Sequence, residues 1–266
     1  MNKRIVVKVG TSTVCHGGKG INFRNIEGIA RTLADIKNEG FEIILVSSGA
    51  IGVGVSKLNL PGRPTENNVK QAVAAVGQLE LMHIYDKVFG EYGATVGQIL
   101  LTKDDVDRPT VKSNLRGAFE ALLDMNVIPI VNENDSVCIE EIESEQKIFG
   151  DNDTLSAVVA VLVEADLLVL MSDNDGLYDS DPHKNQDAKL IPLVTDINDE
   201  IMALAWGVGS NLGTGGMVTK LSAAQIAGEA GINTVIINGS KPKSLYIAVH
   251  NGEVGTRIKL GGGGIN

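Results

Sequence analysis

The sequence predicts an α/β fold on a largely parallel sheet, and three observations predict it. Strand-like and helix-like patterns alternate along the chain, the signature of consecutive βα units. The strand-like runs are almost continuously apolar, as strands buried on both faces must be. Five of those runs end in small, polar or charged residues able to handle a phosphate: IVVKVGTS (Ile5–Ser12), IILVSSGAIG (Ile43–Gly52), VIPIVNEND (Val127–Asp135), DLLVLMSDNDG (Asp166–Gly176) and TVIINGS (Thr234–Ser240). Open α/β sheets bind ligands outside the carboxyl ends of their strands, so five such endings on one edge describe a site.

The elements follow in order. After the first run, Ile26, Ile29, Ala30, Leu33 and Ile36 recur at helical spacing and Gly40 is a stop. The second strand is Glu42–Val46. Val69, Ala72, Val73, Val76 and Ile84 predict a long helix near Glu66–Tyr92, followed by a strand at Thr95–Leu101. A helix over roughly Thr110–Met125 leads into the strand Val127–Val131. Cys138–Phe149 is acidic and alternating, which reads as an exposed hairpin. Asn152–Glu164 reads as a helix capped by Asp151 or Asn152. The second half continues with a strand at Leu167–Met171, a short strand near Leu190–Val194, and a helix around Asn198–Ala205. A glycine-rich stretch, Gly207–Lys220, precedes a helix over Val218–Ala230. A strand at Thr234–Ile237, a short helix near Lys243–His250 and a strand near Thr256–Leu260 complete the fold, and the glycine tail 261–266 is expected to be disordered. Any two lobes share the sheet and meet near Glu164.

At 266 residues the chain suits one continuous α/β body. Its two cysteines, Cys15 and Cys138, form no CxxC pattern and suit a reducing cytosol. No charged-then-apolar leader opens it. No run reaches bilayer length: Leu155–Met171 comes nearest but carries Glu164 and Asp166. The expectation is a cytoplasmic protein without a membrane partner. A net charge of −10 and 4% aromatic residues argue against nucleic acid, which needs basic surface and stacking platforms. The same charge repels anionic substrates, so a phosphate site must bring its own lysines and backbone N–H groups. Lys8 and Lys220 fit that need.

Lys8 stands inside an apolar strand, two residues before a glycine turn. An edge-strand lysine reaching for solvent is the plainer explanation, but a central parallel strand excludes charge unless it serves a ligand. Gly10 then lets backbone approach a phosphate, with Thr11 and Ser12 as donors. Ser47-Ser48-Gly49-Ala50 follows a buried strand. Serine capping explains it structurally, and a helix N-terminus there is also an anion site. Asn132-Glu133-Asn134-Asp135 and Gly150-Asp151-Asn152-Asp153 are paired amide–carboxylate clusters flanking the hairpin. Asx turns account for either alone; together they can hold an ammonium-bearing substrate, carboxylate to amine and amide to carboxylate. Asp153 can orient lysines by charge-assisted bonds. The loop Gly213–Lys220 is no Walker A motif, since Lys220 follows Thr219 and lies in a first helical turn, yet a glycine loop over phosphates with a lysine behind it serves the same end. The four histidines have no metal-ligand spacing, and the metal ligands are left unassigned.

The set VVKVGTS, VSSGAI, QAVAAVGQ (Gln71–Gln78), GQILLT (Gly97–Thr102), NENDSV, GDNDTLSA, LMSDNDGLYDSDP and LGTGGMVTK resembles the amino-acid kinase family, in particular members that phosphorylate a glutamate side chain. The similarity runs from about Ile5 to Thr256. It implies a three-layer αβα sandwich on a mainly parallel sheet. Residues 1–260 would be one kinase domain, with an acceptor lobe over about 1–164 and an ATP lobe over about 165–260. It implies transfer of the γ-phosphoryl of MgATP to the side-chain carboxylate of L-glutamate, the first step of proline biosynthesis, with ATP as co-substrate and Mg²⁺ as cofactor. By motif, Lys8 and Lys220 resemble the two cations on the migrating phosphoryl and Asp153 their organiser. Ser48, Gly49, Asp135 and Asn152 resemble the acceptor contacts, supported by Asn132 and Asp151. Lys8, Gly10, Ser172, Asp173 and the stretch Thr214, Gly215, Gly216, Met217, Val218, Thr219 and Lys220 resemble the ATP site. A homo-oligomer (dimer or tetramer) and handover to a γ-glutamyl phosphate reductase are family expectations. Many relatives append a PUA domain, for which no sequence remains here.

Rival acceptors are carbamate, acetylglutamate, aspartate and UMP. A nucleotide acceptor calls for arginines near the first glycine loop, and Val9–Gly20 has none. Acetylglutamate lacks the free amine that would occupy Asp135; aspartate is the harder rival. A nucleotide sensor without turnover needs no opposed lysines.

Overall fold

A computed structural model describes residues 3–16, 20–137, 152–182, 184–207 and 216–261. The chain enters the sheet at once with β1 (Arg4–Val9), makes the short turn α1 (Thr11–Val14) and then the amphipathic helix α2 (Phe23–Asn38). Asn22 caps α2 by accepting from the Asn25 N–H, and Gly40, at φ +97°, turns the chain after its end. β2 (Glu42–Ser47) leads into α3 (Ala50–Lys57), and a loop reaches the long helix α4 (Asn67–Gly90). Next come β3 (Thr95–Leu101), α5 (Lys103–Asp107), α6 (Pro109–Asp124) and β4 (Val127–Glu133). The second half is α7 (Asn152–Leu162), β5 (Leu167–Ser172), β6 (Leu193–Val194), α8 (Asp199–Gly207), α9 (Met217–Glu229), β7 (Asn233–Asn238), α10 (Ser244–Val249) and β8 (Thr256–Ile258).

The eight strands form one sheet in the order β3-β4-β2-β1-β5-β7-β8-β6. All pairings are parallel except β7 with β8. Period-two alternation divides the side chains between two cores. Ile5, Val7 and Val9 of β1 join α2, α4 and α10 on one face. Val6 joins α6, α7 and α9 on the other. The result is the expected three-layer sandwich. Lys8 shares parity with Val6, so it must emerge on the α7/α9 face, and this places it near the chemistry described below.

The chain leaves β1 toward β2 on one side and later returns to β5 on the other. The carboxyl end of β1 is therefore the point where strand order diverges, which is where open sheets bind ligands. Helix α7 connects β4 to β5 by crossing β2 and β1, and its first residues lie at that point.

Sequence reasoning overlooked the short helices α1 and α5. A four-residue turn has no periodicity to detect, and α5 is set by a reciprocal capping box between Thr102 and Asp105. Serine capping of α3 is also corrected. Gly49, at φ +107°, is the N-cap and no side-chain bond caps the helix. Ser47 instead pairs with the Tyr85 hydroxyl at 2.8 Å. β6 is reduced to two residues because Tyr178 and Leu190 form only an isolated bridge. The expected hairpin Cys138–Phe149 and tail 262–266 lie outside the described residues. No helix among the described residues is long and apolar enough to cross a membrane.

Candidate active site

Three charged side chains meet over the end of β1. Lys8 Nζ lies 2.6 Å from Asp153 Oδ1, and Lys220 Nζ lies 3.1 Å from Asp153 Oδ2. The lysines come from β1 and from the first turn of α9; the carboxylate comes from the first turn of α7. Asp153 is 0% exposed and both lysines only 3%. Burial alone would raise the Asp153 carboxyl, but the two ammonium charges outweigh it and hold the group below its ordinary value. Thr219 Oγ1 lies 2.8 Å from Asp153 Oδ2 and equally close to the Gly216 carbonyl. Two ammonium groups held together out of water are a natural seat for an anion. Gly10 borders that seat: a Cβ there would stand 3.6 Å from Lys8 Nζ, an ordinary contact.

Beside the triad runs a neutral chain of side chains. Asn152 Nδ2 donates to Ser48 Oγ at 2.8 Å and to Asn132 Oδ1 at 3.0 Å. Asn132 Nδ2 in turn donates to Gln78 Oε1 at 2.8 Å. The chain passes round the carboxyl edge of the sheet, from α7 through the end of β4 to α4. Its far end is fixed by close contact between α3 and α4: a Cβ on Gly77 would fall 1.8 Å from the Ala50 carbonyl oxygen. That contact sets Gln78 and the Ser48–Gly49 corner in one frame. Asp135 lies just past β4. Desolvation and the neighbouring Glu133 push its carboxyl up to about 6, against a smaller opposing pull from Arg63.

The ends of β5 and β7 form the other flank. Ser172 is buried, its hydroxyl 3.1 Å from Asp173 Oδ1, and its carbonyl accepts the Gly239 N–H at 2.7 Å. Asn238 Nδ2 and Lys241 Nζ both reach Asp175 Oδ1, at 3.0 and 2.6 Å. Buried Asn25 ties this flank to the first loop, donating to the carbonyls of Thr13 and Gly239. Gly216 caps α9 without a side-chain bond, and the N–H groups of Met217, Val218 and Thr219 have no carbonyl one turn earlier within the helix. Met217 packs its side chain into the core and Val218 is half-buried, leaving backbone as what these two present at that turn. Asp151, Thr214 and Gly215 lie outside the described residues.

Lys8, Asp153, Lys220, Ser48, Asn132 and Asn152 thus come together at the carboxyl edge of the sheet. Gln78 was missed as a separate residue, although it closes the motif QAVAAVGQ; a glutamine inside a helix gives no local signal. No group of three or more His, Cys, Asp or Glu side chains suited to a metal occurs among the described residues. Cys15 is buried, and desolvation raises its thiol to about 11, so it is no nucleophile at neutral pH.

Comparison with known proteins adds a family. The profile of the amino acid kinase family matches residues 3–238. A glutamate 5-kinase of Listeria innocua serovar 6a is 53% identical over 255 residues, covering 96% of this chain and 92% of the relative. A glutamate 5-kinase of Clostridium perfringens is 52% identical, with 96% and 94% covered. Little of either relative therefore lies outside the match. The solved carbamate kinase of Giardia lamblia bound to AMP-PNP superimposes with a TM-score of 0.68 at 19% identity, covering 98% of this chain and 99% of that one. At that identity the likeness shows the fold.

Proposed function

The chain belongs to the amino acid kinase family, and from that premise we propose that Lys8, Asp153 and Lys220 form the phosphoryl-transfer centre of its reaction. That reaction is ATP-dependent phosphorylation of the γ-carboxylate of L-glutamate to γ-glutamyl phosphate, the first step of proline biosynthesis. The observation that carries this reading is the pair of lysines from distant parts of the chain on the two oxygens of one buried carboxylate.

A γ-carboxylate oxygen attacks the terminal phosphorus, and the bond to the β-phosphate bridging oxygen breaks to release ADP. The nucleophile is already ionised, so no proton has to be removed. Catalysis then rests on positioning and on charge stabilisation. Lys8 and Lys220 meet the charge that spreads over the migrating group, and Asp153 holds their ammonium groups in place. Each such donor contributes on the order of 3 kcal/mol to the transition state. Ser48, Gly49, Asn132, Asp135 and Asn152 form the acceptor side, with Asp135 as counter-ion to the substrate ammonium. Gly10, Ser172, Asp173 and the backbone of Gly216–Thr219 form the nucleotide side, the α9 N-terminus being suited to phosphate. This division supports an acceptor lobe over about 1–164 and an ATP lobe over about 165–260, sharing one sheet. Asp151 beside the acceptor, and Thr214 and Gly215 over the phosphates, belong to the same reading by motif alone.

ATP acts together with Mg²⁺. When bound, the ion would neutralise charge on the phosphates. We extend the reading to a cytoplasmic protein and to a homo-oligomer, a dimer or tetramer; exposed Val69, Val76 and Leu79 along α4 favour association. An acyl phosphate is short-lived in water, which favours direct handover to a reductase. The deciding assay incubates the protein with MgATP, hydroxylamine and each candidate acid. Glutamyl hydroxamate is expected; hydroxamate from aspartate alone would reassign the acceptor, and none from any acid would point to a sensor.

A further inference from the structure

The amide chain beside Ser48 has a direction, and that direction matters chemically. A primary amide offers an acceptor at one terminal atom and two donors at the other. Gln78 presents its carbonyl oxygen to Asn132 Nδ2 at 2.8 Å. This turns Asn132 Oδ1 toward Asn152, where it accepts at 3.0 Å. Both hydrogens of Asn152 Nδ2 are then committed, one to Asn132 and one to Ser48 Oγ at 2.8 Å. Ser48 Oγ has accepted, so its own proton is free to be donated outward.

Among Asn132, Asn152 and Ser48 the reverse direction makes as many bonds, but it turns Asn132 Oδ1 against the Gln78 carbonyl oxygen. Asn132 would then give Nδ2 to Asn152, Asn152 would turn its carbonyl inward, and the Ser48 hydroxyl would have to donate into the chain. Ser48 would lose its outward donor and present only lone pairs, which repel a carboxylate. Asn132 is 2% exposed, so it has little water with which to exchange either bond. The half-buried Gln78, at the end of the chain away from Ser48, therefore biases the choice.

We infer that Gln78 is a positioning residue, whose carbonyl oxygen fixes the donor direction of the Asn132–Asn152–Ser48 chain so that Ser48 donates its proton to a carboxylate of the acceptor. The inference rests on the acceptor assignment made under Proposed function. Its frame is the α3–α4 contact at Gly77, which holds Gln78 and the Ser48–Gly49 corner in fixed relation. The chemistry needed is a single hydrogen bond to a charged group.

The test is Gln78→Met, similar in length but without the acceptor, made alone and together with Ser48→Ala. Loss of one hydrogen bond to a carboxylate predicts a roughly tenfold rise in glutamate KM, with kcat and ATP KM within about twofold of wild type. In the Ser48→Ala background the same change should alter glutamate KM by less than about twofold, because the group through which Gln78 acts is gone. Equal effects in both backgrounds would overturn the inference. So would a parallel rise in ATP KM, or loss of ATP binding by calorimetry, since either assigns Gln78 to general packing. Wild-type protein that makes no glutamyl hydroxamate would remove the acceptor reading itself. Normal wild-type turnover with an unchanged Gln78→Met variant would remove only the role of Gln78.

Discussion

Asn152 and Asp153 are neighbours at the start of α7, yet they organise opposite kinds of network. Asp153 gathers charge: two ammonium groups and a threonine hydroxyl converge on its oxygens. Asn152 gathers dipoles, joining Ser48 to Asn132 and through it to Gln78. The charged cluster is strong and insensitive to small geometric change, because two cations attract one anion from any direction. The neutral chain is weaker and directional, because each amide must choose which end to present. A reaction that moves a phosphoryl group needs the first for its charge and the second to orient what receives it. In the reaction proposed above, one helix N-terminus would supply both and keep the two tasks in register.

The largest effect should come from breaking the charged side. Asp153→Ala leaves two buried lysines without their shared carboxylate, a loss of about 3–5 kcal/mol in stability. In the same variant kcat should fall by at least about 1,000-fold, both lysines losing their placement. Chemical denaturation and steady-state kinetics check the two halves. Retained stability with lost turnover would mean that the lysines find other partners.

Lys220→Ala removes one cation and keeps the other. A fall of about 100- to 1,000-fold in kcat is expected, with glutamate KM changed little. A change confined to glutamate KM would move Lys220 from the phosphoryl centre to the acceptor side.

The neutral side is sharpened by pH, through Asp135. Its carboxyl stands near 6 because burial and Glu133 disfavour the charge. It is therefore ionised above that value and neutral below it. Below pH 6 the substrate ammonium loses its counter-ion, and glutamate KM should rise by up to about tenfold per pH unit while ATP KM stays level. In Asp135→Asn that slope should vanish, the KM being high throughout. The stability effect has the opposite sense. With the folded value raised above the ordinary 3.8, the ionised group destabilises the fold progressively from that pH up to about 6 and constantly above. Asp135→Asn should therefore be more stable than wild type at pH 7 by about 1 kcal/mol, after discounting for its partial exposure.

The smallest effect tests the support beneath Ser48. Tyr85 is fully buried, its hydroxyl 2.8 Å from Ser47 Oγ, and burial raises that hydroxyl above its usual value. Tyr85→Phe should cost about 1 kcal/mol in thermal unfolding and leave both KM values unchanged. A shift in glutamate KM would show that Ser47 transmits strain to its neighbour.

Much of this was legible in the residues. Lys8 stood out because a lysine inside an apolar parallel strand demands a reason, and its partner proved to be Asp153. Asn132 and Asn152 were marked by their place at a strand end and a helix start. Gln78 was not marked, since its role exists only because α4 lies against α3 and brings a mid-helix residue to the sheet edge. The serines after β2 misled for a related reason: a capping residue type is a local signal, and the pull of Tyr85 on Ser47, together with the left-handed backbone at Gly49, decided otherwise.

By itself the sequence determined the alternation of strands and helices, the parallel sheet and the edge that carries the polar strand ends, because periodicity and apolar runs act over a few residues at a time. It also determined which face Lys8 must take, since parity along a strand cannot be altered without turning every neighbour over. Only the tertiary structure decided that α7 and α9 bring Asp153 and Lys220 to that same face, and that three amides and one hydroxyl from three separate layers share one hydrogen-bond direction. Those outcomes depend on how helices distant in sequence settle on the sheet, and the free energy of such contacts appears only when both partners are in place.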